Sequence, residues 1–214
     1  MTYTGQTLPG GAPQVRDLGA LILTKLAVGS LDNNVYLLRA RDGSTLLVDA
    51  AAEPDSILAL LPDGRLDAVL TTHSHPDHWQ ALAAVVAATG ATTLATADDA
   101  PAIGGPTETL VAHGDTYRLG ENTLDFIGLR GHTPGGVAVH FTDATGGHHL
   151  LTGDSLFPGG IGRTTDDTFD QLFADVSARL FDAYDEAWVY PGHGWDTTLT
   201  TERPNLASWR ERRW

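Results

Sequence analysis

Apolar and polar residues alternate in short runs along the first part of the chain. Three β-favouring runs over 20–28, 35–40 and 45–49 are separated by turn-forming segments and predict consecutive strands. A short helix is predicted over 55–61, and a buried strand over 67–72 follows it. This part of the chain is therefore predicted to be mainly β-structure with one short helix.

The middle of the chain predicts a helix and then a second group of strands. The alanine-rich run over 77–88 predicts a helix that stops before Gly90, and 92–96 predicts the next strand. A glycine-punctuated section follows, and a last short strand is predicted near the end of the chain. The strands of this later part are predicted over 123–129, 136–142, 149–152 and 187–190.

Apolar residues between positions 169 and 181 recur at helical spacing and predict one buried helix face. This face consists of Phe169, Leu172, Phe173, Val176, Leu180 and Phe181. We interpret the stripe as core rather than as a cofactor site. The order of elements predicts an α/β fold with mixed sheets in a single domain over 1–214. An N-terminal extension is expected over 1–19 and a C-terminal tail over 197–214.

Composition excludes several kinds of site and partner. The sequence has no cysteine, so disulfides, thiolate nucleophiles and cysteine-type zinc sites are excluded. A formal net charge of −14 disfavours nucleic acid and anionic membranes as partners. The chain has neither a signal-peptide pattern nor an apolar run of membrane-spanning length, so we expect a cytoplasmic protein. The oligomeric state is not predicted.

The largest cluster of potential metal-binding side chains follows the fourth predicted strand, where three imidazoles and one carboxylate lie within six residues. Alternate residues of an extended segment point the same way, so His73 and His75 can converge on one cation. A proline then redirects the chain. Asp77 and His78, predicted on the first turn of a helix, are suited to a second cation nearby. The segment therefore predicts ligands for two metal ions.

This segment resembles the HxHxDH signature of the metallo-β-lactamase superfamily. Later motifs match the family in its order, with His132 in Gly-His-Thr-Pro-Gly, Asp154 in Thr-Gly-Asp-Ser-Leu and His193 in Pro-Gly-His-Gly. The resemblance covers residues 21–194. It implies a four-layer αβ/βα sandwich, in which two mixed β-sheets are flanked by helices.

The resemblance also implies which side chains hold metal. It implies that one ion is held by His73, His75 and His132, and that a second is held by Asp77, His78 and His193. Asp154 is implied to bridge the two ions. We expect two divalent ions, Zn²⁺ before Fe or Mn, because imidazole and carboxylate ligands suit all three. A pair of cations lowers the pKa of water from ~15.7 to about 7, so a shared hydroxide is the expected nucleophile. Asp77 is expected to orient it as a catalytic residue.

Details of the motifs narrow the subfamily. Asp154 and His78 stand where other superfamily enzymes carry cysteine or arginine, which disfavours antibiotic hydrolysis. The stretch 153–164 resembles the short glyoxalase II-like hydrolases, which cleave thioesters such as S-lactoylglutathione, and 29–36 fits their early strand-turn-strand segment. The chain ends at Trp214, where full-length glyoxalase II continues into a helical domain that holds glutathione. The resemblance therefore implies a small-molecule substrate but leaves its identity open.

Three other functions are compatible with these residues. The first is that of a persulfide dioxygenase, which shares the fold and a similar Gly-Arg-Thr stretch but uses one iron held by two histidines and an aspartate. The second is that of a lactonase, and the third is that of a non-catalytic metal-binding module. Arg163 is a candidate for contact with a substrate carboxylate. Four further histidines are interpreted as surface or core residues, namely His113, His140, His148 and His149.

Overall fold

The computed structural model describes residues 3–213, and its first half forms one β-sheet. Within this range the sheet has seven strands, which are β1 (Gln14–Asp17), β2 (Leu21–Val28), β3 (Asn33–Ala40), β4 (Thr45–Val48), β5 (Ala68–Leu70), β6 (Thr92–Thr96) and β7 (Thr109–Val111). The strands lie in chain order. Strands β1 to β4 are antiparallel and β4 to β7 are parallel, so the sheet is mixed.

The second half of the described chain contributes eight strands. They are β8 (Thr116–Leu119), β9 (Asn122–Gly128), β10 (Val137–Thr142), β11 (His148–Gly153), β12 (Leu156–Phe157), β13 (Gly160–Ile161), β14 (Trp188–Pro191) and β15 (Thr197–Thr198). Six form a second sheet in the order β15-β14-β11-β10-β9-β8, and β12 pairs with β13. Strands β11 and β14 are parallel while their neighbours are antiparallel, so this sheet is also mixed.

Helices cover the outer face of each sheet. Within residues 3–213 the α-helices are α1 (Pro54–Leu58), α2 (Leu82–Thr89), α3 (Phe169–Val176), α4 (Leu199–Glu202) and α5 (Leu206–Arg212). Helices α1 and α2 pack on the first sheet, where Ile57 and Val85 join one apolar cluster with its strand residues. Leu172 of α3 and Trp209 of α5 pack on the second sheet. Two mixed sheets flanked by helices confirm the predicted α/β sandwich.

The main core lies between the two sheets. On β10, Val137, Val139 and Phe141 face the first sheet, whereas Ala138 packs under the helices of the second. This alternation follows from the two-residue period of a strand. Since helices cover the outer faces, both faces of the central strands are buried and their sequences read as nearly continuous apolar runs.

The helix predicted over 77–88 is wrong at its start. Residues Pro76–His78 form a single 3₁₀ turn, and α2 begins at Leu82. Tertiary contacts override the local helix propensity here: His78 Nδ1 lies 2.8 Å from Asp49 Oδ2, and Asn33 Nδ2 donates to Asp77 Oδ2 at 2.9 Å. By contrast, the apolar stripe predicted after position 169 is confirmed as core. Its C-terminal part, Ser177–Phe181, is π-helical.

Both predicted terminal segments contain regular structure. Strand β1 lies within 1–19 and pairs with β2, and β15, α4 and α5 lie within 197–214. Trp209 is fully buried, and its ring meets that of Phe181 edge-on at 6.2 Å. Among the described residues no helix is long and apolar enough to cross a bilayer.

Candidate metal centre

Loops at one edge of the two sheets carry the candidate ligands. Strand β5 leads to His73, β11 ends immediately before Asp154, and β14 leads to His193. His132 lies in the loop between β9 and β10. The two sheets are joined at this edge by a backbone hydrogen bond of 3.0 Å from Val137 N to Thr72 O. Four separate loops therefore meet at one place.

The structure brings the seven side chains together. Within residues 3–213, ligand atoms closer than 4.8 Å to one another form three groups: His73, His75 and His132; His73, His78 and Asp154; Asp77, His78 and His193. Asp154 connects the groups, since its Oδ1 lies 3.4 Å from His78 Nε2 and its Oδ2 lies 3.6 Å from His132 Nε2. None of the four histidines left unassigned belongs to these groups of the described chain.

The third group is compact. His193 Nε2 lies 3.1 Å from His78 Nε2 and 3.4 Å from Asp77 Oδ2. The same nitrogen lies 3.4 Å from Asp154 Oδ2. Two imidazole nitrogens and two carboxylates therefore point at one small volume, as they do around a bound cation.

Hydrogen bonding supports a fit to metal ions. In the described part of the chain, four buried side-chain polar atoms have no hydrogen-bond partner, and three of them are His73 Nε2, His132 Nε2 and Asp154 Oδ1. A buried polar atom without a partner costs about 1–3 kcal/mol. These three atoms face one another within the groups described above, so a cation would satisfy them. The imidazole and carboxylate ligands suit Zn²⁺, Fe or Mn.

The charges at the site suit cation binding as well. Burial lowers the pKa of both His73 and His132, which keeps these rings neutral and able to coordinate. Burial opposes the charge on Asp154, but the nearby rings of His193 and His78, each with Nε2 at 3.4 Å from a carboxylate oxygen, hold its pKa well below the usual range. His78 differs from His73 and His132: burial opposes its charge, yet Asp49 and Asp154 raise its pKa to about 10, so a metal ion binding here would have to displace a proton from this ring.

Main-chain carbonyl groups orient two of the rings. His132 Nδ1 donates to Arg163 O and His193 Nδ1 donates to Leu31 O, each at 2.7 Å. Because Nδ1 holds the proton, Nε2 keeps its lone pair and is directed into the centre. Ring rotation at both positions is therefore fixed by backbone.

Asp49 orients the ring of His78, and no sequence motif predicted this role for Asp49. Its buried carboxylate lies 2.8 Å from His78 Nδ1 and accepts hydrogen bonds from Thr72 N at 2.7 Å and Thr72 Oγ1 at 2.8 Å. A usable signal existed, because Asp49 directly follows β4, a strand parallel to β5. Side chains that follow parallel strands share the functional edge of a sheet.

Asp99, also missed from the sequence, joins two of the ligand-bearing loops. Its Oδ2 accepts from Ser74 N at 2.9 Å and from Thr133 Oγ1 at 2.6 Å, while Oδ1 accepts from Gly135 N at 2.9 Å. One buried carboxylate thus ties the loop of the first histidines to the loop of His132. Asn33 plays a smaller part, donating from Nδ2 to Asp77 Oδ2 at 2.9 Å.

Glycine at position 192 is required by the packing of the ligands. A Cβ atom there would lie 2.2 Å from Asp154 Oδ1 and 2.7 Å from His78 Cε1. Only a residue without a side chain lets this backbone approach the ligands. The glycine preceding His193 is therefore part of the centre.

A cleft of about 640 Å³ opens beside His75 and His132. Arg163, the predicted substrate contact, lines it and is exposed. Arg130 lines the same cleft and is held by Asp175, which accepts from its Nε at 3.0 Å. The cleft offers cationic groups next to the metal ligands.

Comparison with known proteins identifies the family. The model of the metallo-beta-lactamase superfamily matches residues 28–193. The chain belongs to this superfamily. The resemblance inferred from the HxHxDH segment is therefore confirmed, and the superfamily match extends over all four ligand-bearing loops.

Relatives within the metallo-beta-lactamase superfamily include hydroxyacylglutathione hydrolases. That of Fuscovulum blasticum is 37% identical over 164 residues, which are 76% of this chain and 62% of the relative. That of Methylococcus capsulatus is 34% identical over 187 residues, which are 85% of this chain and 71% of the relative. The chain thus spans less than two thirds of the Fuscovulum protein.

Two solved structures share the fold of this chain. ETHE1 from Myxococcus xanthus has a TM-score of 0.76 at 27% identity, covering 87% of this chain and 84% of that one. TTHA1623, solved in a di-iron-bound form, has a TM-score of 0.70 at 30% identity and covers 84% of this chain and 96% of its own.

Proposed function

We propose that this protein is a dinuclear metal-dependent hydrolase that cleaves thioesters of the S-lactoylglutathione type. The proposal rests on one observation: Asp154 lies between the group of His73, His75 and His132 and the group of Asp77, His78 and His193. A carboxylate between two such groups suits a pair of cations. The relatives named hydroxyacylglutathione hydrolase support the thioester class.

Each side chain has a role in this proposal. His73, His75 and His132 would hold the first cation, Asp77, His78 and His193 would hold the second, and Asp154 lies between the two sets and would serve both. When bound, two divalent cations provide an activated water at neutral pH and polarise the carbonyl group of the substrate. Asp77, held by Asn33, orients the attacking water. The water oxygen bonds to the carbonyl carbon and the C–S bond breaks; one proton of the water passes to the departing sulfur to give a thiol, and the other is released with the carboxylate product.

Substrate recognition is assigned to the cleft. Arg163 lies next to His132 there and is proposed to bind a carboxylate of the substrate, for which a guanidinium group has matching geometry. We propose Zn²⁺ as the metal, with Fe and Mn as the other ions to test, and the di-iron form of TTHA1623 supports loading with two ions. A cytoplasmic location and a small-molecule substrate remain parts of the proposal.

Metal analysis coupled to turnover tests the proposal. Metal-free protein is reloaded with Zn²⁺, Fe or Mn, the ions per chain are counted, and hydrolysis of S-lactoylglutathione is measured beside Asp154→Asn. We expect two ions per chain and turnover that is lost in the variant. One iron with oxygen-dependent persulfide consumption would establish the dioxygenase instead, and hydrolysis of acyl-lactones alone would establish a lactonase. Two bound ions without any turnover would indicate a non-catalytic module.

A further inference from the structure

Lys25 is the only lysine of the sequence, and its side chain is fully buried in the middle of β2. Its Nζ donates three hydrogen bonds, to Gly5 O at 2.8 Å, to Gly194 O at 2.8 Å and to Asp196 Oδ1 at 2.6 Å. All three donors of the ammonium group are therefore used. Two of its partners belong to the segment after His193: Gly194 is the next residue, and Asp196 lies three residues beyond His193.

The loop of His193 is held by its backbone from the first sheet. Asn34 Nδ2 donates to Pro191 O and to Gly194 O, each at 2.9 Å. The hydroxyl group of Tyr36 donates to Pro191 O at 2.8 Å. Together with Lys25, these contacts fix the main chain on both sides of His193.

The N-terminal segment closes over the same ion pair. Tyr3 donates its hydroxyl hydrogen to Asp196 Oδ2 at 2.5 Å, and Asp196 N donates to Gly5 O at 3.3 Å. The fit is tight, since a Cβ atom at Gly5 would lie 2.7 Å from Asp196 Oδ2. Lys25 thus joins the N-terminal segment to the end of the metal loop.

We propose that Lys25 is a positioning residue that sets the affinity of the second metal site through the loop of His193. The inference rests on the ligands of the proposed function. A buried ion pair is by itself weak evidence for stability, because apolar residues of similar volume replace such pairs at little cost. The bond to Gly194 O gives this pair a specific geometric task instead. No hydrogen bond of Lys25 reaches the loops of His73, His75 or His132 among the described residues.

The single lysine makes a direct spectroscopic test possible. Protein labelled with ¹⁵N at lysine gives one Nζ signal, and metal-free protein is titrated with Zn²⁺ alone. We expect this signal to shift in the wild type and in His132→Ala, which keeps the second trio, but not in His193→Ala. An unchanged signal in a wild type that has bound two ions would overturn the proposal, as would a full shift in His193→Ala.

Affinity provides the second test. Zn²⁺ affinity is measured by chelator competition for Lys25→Met in the His132→Ala and His193→Ala backgrounds. We expect binding to weaken about 10- to 100-fold in the first background, the range typical of lost outer-sphere support, and to stay constant in the second. Arg65→Met, which breaks an exposed ion pair with Asp67, is the control and is expected to change neither affinity.

Two results would contradict a positioning role. Equal losses in both backgrounds would indicate general unfolding, and unchanged affinity in both would show that Lys25 does not support the site. Neither test measures hydrolysis. If Lys25 affects the second metal site as expected but no thioester is hydrolysed, the proposed activity alone would be refuted and the role of Lys25 would stand.

Discussion

Replacement of Gly192 by alanine adds one methyl group inside the proposed metal centre. Its Cβ atom would lie 2.2 Å from Asp154 Oδ1, whereas atoms in ordinary contact are separated by roughly 3.5 Å. The carboxylate must therefore move by about 1 Å, while metal–ligand distances tolerate only about 0.2 Å. Such overpacking typically costs ~1–3 kcal/mol of folding stability. We expect a folded protein with at least ~100-fold lower turnover and weakened metal binding, since a 1 Å misplacement has that effect on catalysis.

Gly105→Ala is the matched control, because its added Cβ atom would approach only Leu82 Cδ2, at 3.9 Å. Both variants are compared by calorimetric titration of metal-free protein with Zn²⁺, by metal analysis and by thioester hydrolysis. We expect Gly105→Ala to match the wild type in all three. If Gly192→Ala bound two ions with unchanged affinity, the two carboxylate oxygens of Asp154 would not be ligands and the reasoning would fail.

Three further predictions concern residues around the centre and in the core. Asp49→Ala removes the partner of His78 Nδ1, so Zn²⁺ affinity by chelator competition is expected to fall about 10- to 100-fold, and an unchanged affinity would contradict this role. Burial raises the pKa of Asp175, but hydrogen bonds from Arg130 outweigh this effect and hold the pKa below its normal value. The stability that results is present above pH ~4 and is lost as pH falls through the pKa of the folded state. Asp175→Asn should therefore be less stable than the wild type at pH 7 but lose less stability on acidification, and an equal fall of the melting temperature with pH in both proteins would contradict this. Trp209→Ala is expected to cost ~3–5 kcal/mol in urea unfolding, and a loss below ~1 kcal/mol would show that its burial contributes little.

The sheets and several ligand positions were predictable because their signals are local. Apolar runs bounded by turn residues predicted β2 to β6 of the first sheet and β9, β10, β11 and β14 of the second, but not the outer strands β1, β7, β8 and β15. Alternation along an extended segment correctly placed His73 and His75 on one side, where their rings lie 4.9 Å apart. The same local reasoning failed at Asp77, because alanine-rich sequence favours a helix whereas tertiary contacts impose a 3₁₀ turn.

The residues that support the ligands could not be found in this way. Asp49 meets Thr72 across 23 positions of sequence, and Asp99 meets Gly135 across 36. Neither carboxylate stands in a motif, and aspartate is common in turns without any such role. Their partners become neighbours only once parallel strands bring distant loops to one edge. Lys25 was overlooked for a similar reason, since its three partners lie in two other segments of the chain.

The carbonyl groups that orient His132 and His193 belong to Arg163 and Leu31, whose own side chains are exposed. Every amino acid offers the same carbonyl oxygen, so a mutation at either position can change the exposed side chain without changing the orientation of the imidazole ring. At these residues the side chain is therefore free to evolve with substrate preference, while the main-chain carbonyl group keeps its role in the candidate metal centre. Substrate preference can thus change during evolution without a change in the orientation of the candidate ligands.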